Sequence, residues 1–242
     1  MSLRRMMMAG GGAGGGGGPS WANVVALLHF DGAHGTATFT DVTGKIWTRT
    51  GAPTISTAKS KFGGASGVFS GVSQYIETPS NAGFAFGSGN FTVEGWFHPT
   101  SSSASNYYAL IARDNVAGTR GWLLFTDITS GSLSFFAWNG GTSKTIARPG
   151  NFLADFLNTW VHVAVSRVGN TMRMFVNGAL AGSVDVTGFS ISDNSEVLRI
   201  ASLKGAGGTD PFFAGYVDDV RIAKEGIYSA DFTPPTAAFP DS

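Results

Sequence analysis

The chain has no cysteine among its 242 residues, so it can hold neither a disulfide framework nor a thiolate metal site. Charge is scarce: 13% of residues are charged, with 16 basic residues balanced by 16 acidic ones, against roughly 25% charged in an average soluble domain. Two of the arginines, Arg4 and Arg5, stand in the N-terminal segment, which leaves the body slightly acidic. That argues against nucleic acid, whose phosphates need a concentrated basic face. No apolar run reaches the ~20 residues of a membrane span, so no membrane partner is expected. Met1 to Ala9 offers a three-methionine stretch where a secretory leader needs about 7–15 apolar residues. No secretory signal is therefore read, and export is expected inside a larger particle.

Paired carboxylates are also missing. Glycoside hydrolysis uses two carboxyl groups about 5–9.5 Å apart across the scissile bond. The four glutamates, Glu77, Glu94, Glu196 and Glu225, have no acidic partner two to five residues away on a strand. There is no Gly-x-Ser-x-Gly elbow, and His29, His34, His98 and His162 show no paired ligand spacing. No catalytic residue is assigned, and the chain is expected not to be an enzyme. His162, beside Trp160 and Ala164, reads as a satisfied core histidine.

What is present is apolar and neutral polar matter, with 43% hydrophobic residues and 35 glycines. A body of this size can bury roughly 70% of the surface its unfolded chain exposes, so no staple is needed. Gly10 to Gly18 is glycine except for Ala13, a run with no side chains to bury and maximal backbone entropy to lose. Residues 1–20 read as an arm outside the fold, with Arg4, Arg5, Met6, Met7 and Met8 as assembly contacts, methionine being an adaptable apolar anchor. Residues 21–235 read as one domain, from Trp21 onward, and 236–242 as a tail.

From Val24 the chain reads as short strands separated by turn residues every ten or so positions, the pattern of a sandwich or barrel. Gly121 to Thr126 and Ser132 to Trp138 flank a Ser130-Gly131 turn. Two strands within Thr171 to Val186 flank Asn177-Gly178, which supplies the positive φ angles of a type I′ hairpin. Phe152 to Leu157 and Ser229 to Phe232 suggest short helical turns, and no long segment has a 3.6-residue period. In the last strand, strict alternation puts Tyr216, Asp218, Val220 and Ile222 on one face and Asp219 on the other with Arg221, where Asp219 reads as a solvated surface charge. Aromatics that could meet a glycan or protein partner are Tyr107, Tyr108, Trp122, Trp138, Phe212 and Phe213, with Arg113, Asp114 and Asn115 marking a loop after a strand.

Seven segments, in order, carry a resemblance. They are Leu27-Leu28-His29-Phe30-Asp31-Gly32, Ser60-Lys61-Phe62-Gly63-Gly64-Ala65-Ser66, Gln74-Tyr75-Ile76, Phe91 to Phe97, Trp160 to Val165, Phe175-Val176-Asn177-Gly178, and Gly215 to Ile222. Together they resemble the laminin G-like, concanavalin A-like lectin/glucanase jelly-roll family, in the version found in tailed-phage structural proteins. The resemblance implies an all-β fold of two antiparallel sheets, with the first strand near the last and Asp31 near Asp218. It also implies a structural Ca²⁺ held by Asp31, the Gly64 carbonyl and Asp218; the alternative is that Asp218 only accepts backbone N–H bonds from a loop. The function expected is a virion structural or decoration protein, anchored by the arm to other virion proteins or copies of itself and displaying the sandwich outward. A carbohydrate-binding adhesion module, extracellular and directed at cell-surface glycans, is the alternative; a glucanase is disfavoured.

Overall fold

The computed structural model describes residues 18–102, 108–116, 118, 120–127, 129–205 and 210–242. A 3₁₀ turn, Trp21–Asn23, opens the body. The strands are β1 Val24–Leu28, β2 Thr48–Thr50, β3 Thr54–Ser56, β4 Ser66–Ser70, β5 Tyr75–Thr78, β6 Phe91–Pro99, β7 Tyr108–Arg113 and β8 Trp122–Thr126, followed by β9 Leu133–Asn139 and β10 Thr142–Arg148. After the short helix α1 Phe152–Asp155 come β11 Val161–Val168, β12 Thr171–Val176, β13 Ala179–Asp185, β14 Leu198–Ile200 and β15 Ala214–Ala223. One sheet runs β13-β12-β11-β6-β15-β4-β3, with β1 also on β15; the other runs β10-β9-β8-β7-β14-β5-β2, all antiparallel. The first and last strands meet, since β1 pairs with β15 at Leu28–Val220 and Ala26–Ile222.

Alternation selects the inner faces. Phe91, Val93 and Phe97 of β6 join Val161, Val163 and Val165 of β11 and Leu133, Phe135 and Ala137 of β9 in one apolar core. The β12–β13 turn has φ 48° at Asn177 and 77° at Gly178, as the sequence predicts. Of the two expected helical turns only the first forms. Ser229–Phe232 is irregular because Tyr228 and Phe232, stacked at 3.7 Å between ring centroids, anchor it across the outer face of the larger sheet.

Strict alternation fails in β15. Asp218 pairs with Trp96 and Arg221 pairs with Glu94, so β15 spends three steps where β6 spends two, and Asp219 takes φ 49°. This bulge turns Val220 and Ile222 inward with Val217 and leaves Tyr216, Asp218 and Arg221 on the outer face, opposite His98, Trp96 and Glu94. Asp218 therefore does not share a face with Val220. Nor is Asp219 a solvated surface charge: it and Arg221 are both buried, because Phe239 in the last segment covers them. The segment 236–242 packs onto the body, with Phe239 buried and its N–H donating to Asp219 Oδ2 at 2.9 Å.

Candidate functional site

Two corners of the sandwich gather polar groups. The first lies beside the bulge. β1 and β4 both flank β15, one at Val220–Ala223 and the other at Ala214–Val217, and Asp218 sits in the gap between them. Its Oδ2 accepts from the N–H groups of Lys61 (2.7 Å) and Phe62 (3.1 Å), the loop-capping role open to it from sequence. The Asp31 carboxylate covers Gly63, whose left-handed φ of 57° and lack of Cβ admit it; any Cβ there would collide with it. Burial pushes the Asp218 carboxyl up to about 7, against its two N–H donors and with help from the charges of Asp219 and Asp31. Burial likewise raises Asp31, partly offset by His29. His29 bridges Asp219 (2.6 Å) and Asp241 (2.8 Å), bonds that raise it to about 9, with the Asp219 bond the largest cause and burial opposing.

The residues named for Ca²⁺ thus come together in part. Asp31 and Asp218 share a corner, the charge of Asp31 helping to raise the Asp218 carboxyl, and hard oxygen donors of this kind suit that cation. The described residues form no group of three or more carboxylates or imidazoles around one metal position, so such a site would need backbone carbonyls to complete it.

The second corner is an open depression of about 260 Å³ lined by Gly118, Arg120, Trp138, Gly140, Ser192, Asp193 and Asn194. It stands at the edge of the smaller sheet's outer face. Register carries one row across that face: Thr145, Phe136, Leu123, Ala112, Arg199, Glu77 and Thr48. Ala109, Ala112, Leu123 and Leu203, with half-buried Phe125 and Phe136, make an apolar patch there.

Each lining group is held from behind. The Trp138 N–H donates to the Gly121 carbonyl and its own carbonyl accepts from Ser192 N–H, both at 2.8 Å. Its indole lies beside Phe136, with centroids 6.3 Å apart. Arg120 rests its guanidinium 4.4 Å over the Phe136 ring, and its Nε donates to both oxygens of buried Asp114 at 3.0 and 2.8 Å. Arg113, fully buried, donates to Asp193 Oδ1; that bond, with the Ser195 N–H, lowers the Asp193 carboxyl below the usual range. Asn194 ties in by donating to the Arg113 carbonyl at 2.9 Å.

The sequence-chosen aromatics separate. Trp138 and Phe212 are half-buried, Phe212 stacked on Tyr75 at 6.3 Å. Trp122, Tyr108 and Phe213 are buried and form no binding surface. Trp122, at 0% exposure, faces inward with Leu124, stacks on Phe86 and donates Nε1–H to the Phe84 carbonyl at 3.2 Å. Tyr107 lies outside the described residues, as do Arg4, Arg5, Met6, Met7 and Met8. Arg120, Ser192, Asp193 and Asn194 were not found by sequence reasoning; only Arg113 and Asp114, which hold Asp193 and Arg120 in place, lay in a segment it marked. His162 is buried as expected: Nε2 stands 3.3 Å from Glu94 Oε2 as its one polar contact among the described residues, and Nδ1 has no hydrogen-bond partner there.

A family model described as the concanavalin A-like lectin/glucanases superfamily, of the laminin G type, matches residues 69–229. The chain belongs to that family. No curated protein matches the sequence. The fold is similar to the binding domain of Paraclostridial Mosquitocidal Protein 1, with TM-score 0.65 and 16% identity over 86% of this chain and 50% of that one. It is also similar to the binding domain of botulinum neurotoxin DC in complex with SialylT (TM-score 0.61, 14% identity, 86% and 49% covered). The same domain in complex with rat synaptotagmin II gives TM-score 0.62, 16% identity, and 86% and 49% covered. The chain spans about half the length of these solved structures.

Proposed function

We propose that the chain is a non-enzymatic, lectin-like binding module whose ligand is a glycan and whose site is the depression at Trp138. The observation that carries this reading is the convergence of a half-buried indole, a braced guanidinium and an ionised carboxylate on one open recess, next to an apolar sheet face. A few fixed polar groups around one aromatic surface are what orients and selects a ligand in a small-ligand site. The similar binding domains, one in complex with SialylT and one with synaptotagmin II, support a binding rather than a catalytic role. So does the chemistry of the recess: its one carboxylate, Asp193, is kept ionised by Arg113 and is a poor proton donor to a leaving group. The test is a glycan array on the full chain, with Trp138→Ala as control. Saturable binding lost in the variant supports the reading; binding unchanged in the variant, or no binding, refutes it.

The setting we propose is a virion, where the sandwich is a structural or decoration element displayed outward and the arm, through Arg4, Arg5 and Met6 to Met8, anchors it to other virion proteins or to copies of itself. The glycine run and the low charge of the body support this reading. Deleting residues 1–17 is expected to leave the sandwich folded and to abolish incorporation into particles; retained incorporation would remove the anchoring role. A structural Ca²⁺, if bound, would be held by Asp31 and Asp218 with the Gly64 carbonyl, and would tie the chain's first and last strands.

A further inference from the structure

Resting on the proposed glycan site, we infer that the recess selects a neutral pyranose ring rather than an acidic sugar, with Trp138 as the platform and Asp193 and Arg120 as the hydroxyl-reading pair.

The argument begins with charge. The recess holds one cation and one anion, and each is already matched from behind: Arg120 by Asp114, and Asp193 by Arg113. None of the described lining groups carries an uncompensated positive charge. A sugar carboxylate brought to Arg120 would also approach Asp193, whose side chain is 54% exposed, and the repulsion would cancel what the guanidinium offers. A neutral sugar meets no such conflict.

The unused hydrogen-bonding capacity points the same way. Arg120 spends only Nε on Asp114, so its two terminal nitrogens have no protein acceptor among the described residues and can donate outward. Asp193 spends Oδ1 on Arg113 and on the Ser195 N–H, which leaves Oδ2 as an acceptor. Ser192 Oγ accepts from Gly140 N–H at 3.0 Å, so its own proton is free to donate. Adjacent ring hydroxyls each donate and accept, and they match this alternation of donor and acceptor. An acidic group, which only accepts, does not. The third element is apolar. A pyranose shows a patch of C–H groups on one ring face, and the half-buried indole of Trp138 offers a flat surface for it.

The experiment is calorimetric titration of the full chain with neutral methyl hexopyranosides (gluco, galacto and manno) and, separately, with N-acetylneuraminic acid, at low and high salt. A neutral sugar is expected to bind, with affinity lost at least about tenfold, roughly 1.4 kcal/mol, in Trp138→Ala and in Asp193→Asn. Because the recognition is uncharged, affinity should change little with salt. Asp193→Asn also removes one of the two opposing charges, so it should improve binding of the acidic sugar relative to the neutral one. Melting curves check that each variant is folded, and Ser192→Ala, a half-exposed change, gives a second reading of the same contact. If N-acetylneuraminic acid binds more tightly than every neutral sugar, and Trp138→Ala abolishes that binding, the glycan site stands and its neutral selectivity is wrong. If no sugar of either class binds, the site reading itself fails.

Discussion

Neutralising one member of the buried ion pair beneath the chain's C-terminal segment should cost far more than neutralising both. Glu94 Oε1 accepts from Arg221 Nε and Nη2 at 2.9 and 2.7 Å, and Oε2 accepts from the Tyr228 hydroxyl at 2.9 Å. All three residues are buried, and the guanidinium lies 3.7 Å over the Phe239 ring. Removing one partner of a buried pair leaves an uncompensated charge and typically costs about 3–5 kcal/mol. For a domain of this size, with about 2–4 °C lost per kcal/mol, Glu94→Gln or Arg221→Met should lower Tm by about 6–20 °C. The double variant Glu94→Gln/Arg221→Met buries no charge and should recover much of that loss, the coupling showing in a double-mutant cycle from urea unfolding with unchanged m. Burial raises the Glu94 carboxyl, but Arg221 and then His162 outweigh it, and its pKa lies below the ordinary 4.5. Linkage fixes the sign: the stability this adds is complete above pH 4.5 and is lost as pH falls through the depressed value, so Glu94→Gln should flatten the acid limb of the stability profile. Single variants that each cost under about 1 kcal/mol, or losses that simply add in the double variant, would refute the reasoning.

Three further outcomes can be read by melting or titration. Trp122→Ala should cost about 3–5 kcal/mol through the cavity it leaves, whereas Trp138→Ala at the recess should cost under about 1 kcal/mol; similar losses would contradict the inward and outward assignment. Gly178→Val should destabilise the β12–β13 hairpin by more than the ~1–2 kcal/mol of a left-handed β-branched residue, because its Cβ would also meet the Phe232 carbonyl; an unchanged Tm would remove that contact. Calcium in excess should raise Tm in the wild-type chain, by about 2.7 kcal/mol of stability at a hundredfold excess over Kd, and not in Asp218→Asn; no shift with calcium or EGTA would dismiss the ion.

The sandwich was legible because apolar alternation and turn chemistry are local. Asn177-Gly178 announced its own turn, and β6 and β11 carried inward positions that any register had to respect. The same parity could have sorted the tryptophans: Leu133, Phe135 and Ala137 face inward, which turns Trp138 out, while Leu124 turns Trp122 in. Residue type alone could not do this, and choosing aromatics by type put Trp122, Tyr108 and Phe213 on a surface they do not reach. The recess itself was out of reach. Its groups come from the end of β9 and the turn after it, from Gly118 and Arg120, and from residues 192–194, and their braces, Arg113 to Asp193 and Asn194 among them, span up to 81 positions.

The bulge in β15 was hidden for a different reason. A left-handed residue there is expected to be glycine, and the sequence has Asp219. The structure shows what compensates an aspartate in that conformation: its carboxylate takes the N–H of Phe239 and one ring nitrogen of His29, and so binds the last segment of the chain to the end of β1. The one extra residue has two effects. It leaves Asp218 in the gap between β1 and β4, where it holds the Lys61–Phe62 turn, and it brings Arg221 back to the outer face opposite Glu94. Strict alternation would have driven Arg221 into the apolar core, where a guanidinium costs several kcal/mol without a partner. The irregularity is therefore the condition under which this strand can carry Asp218, Asp219 and Arg221 within four residues and still close the sandwich.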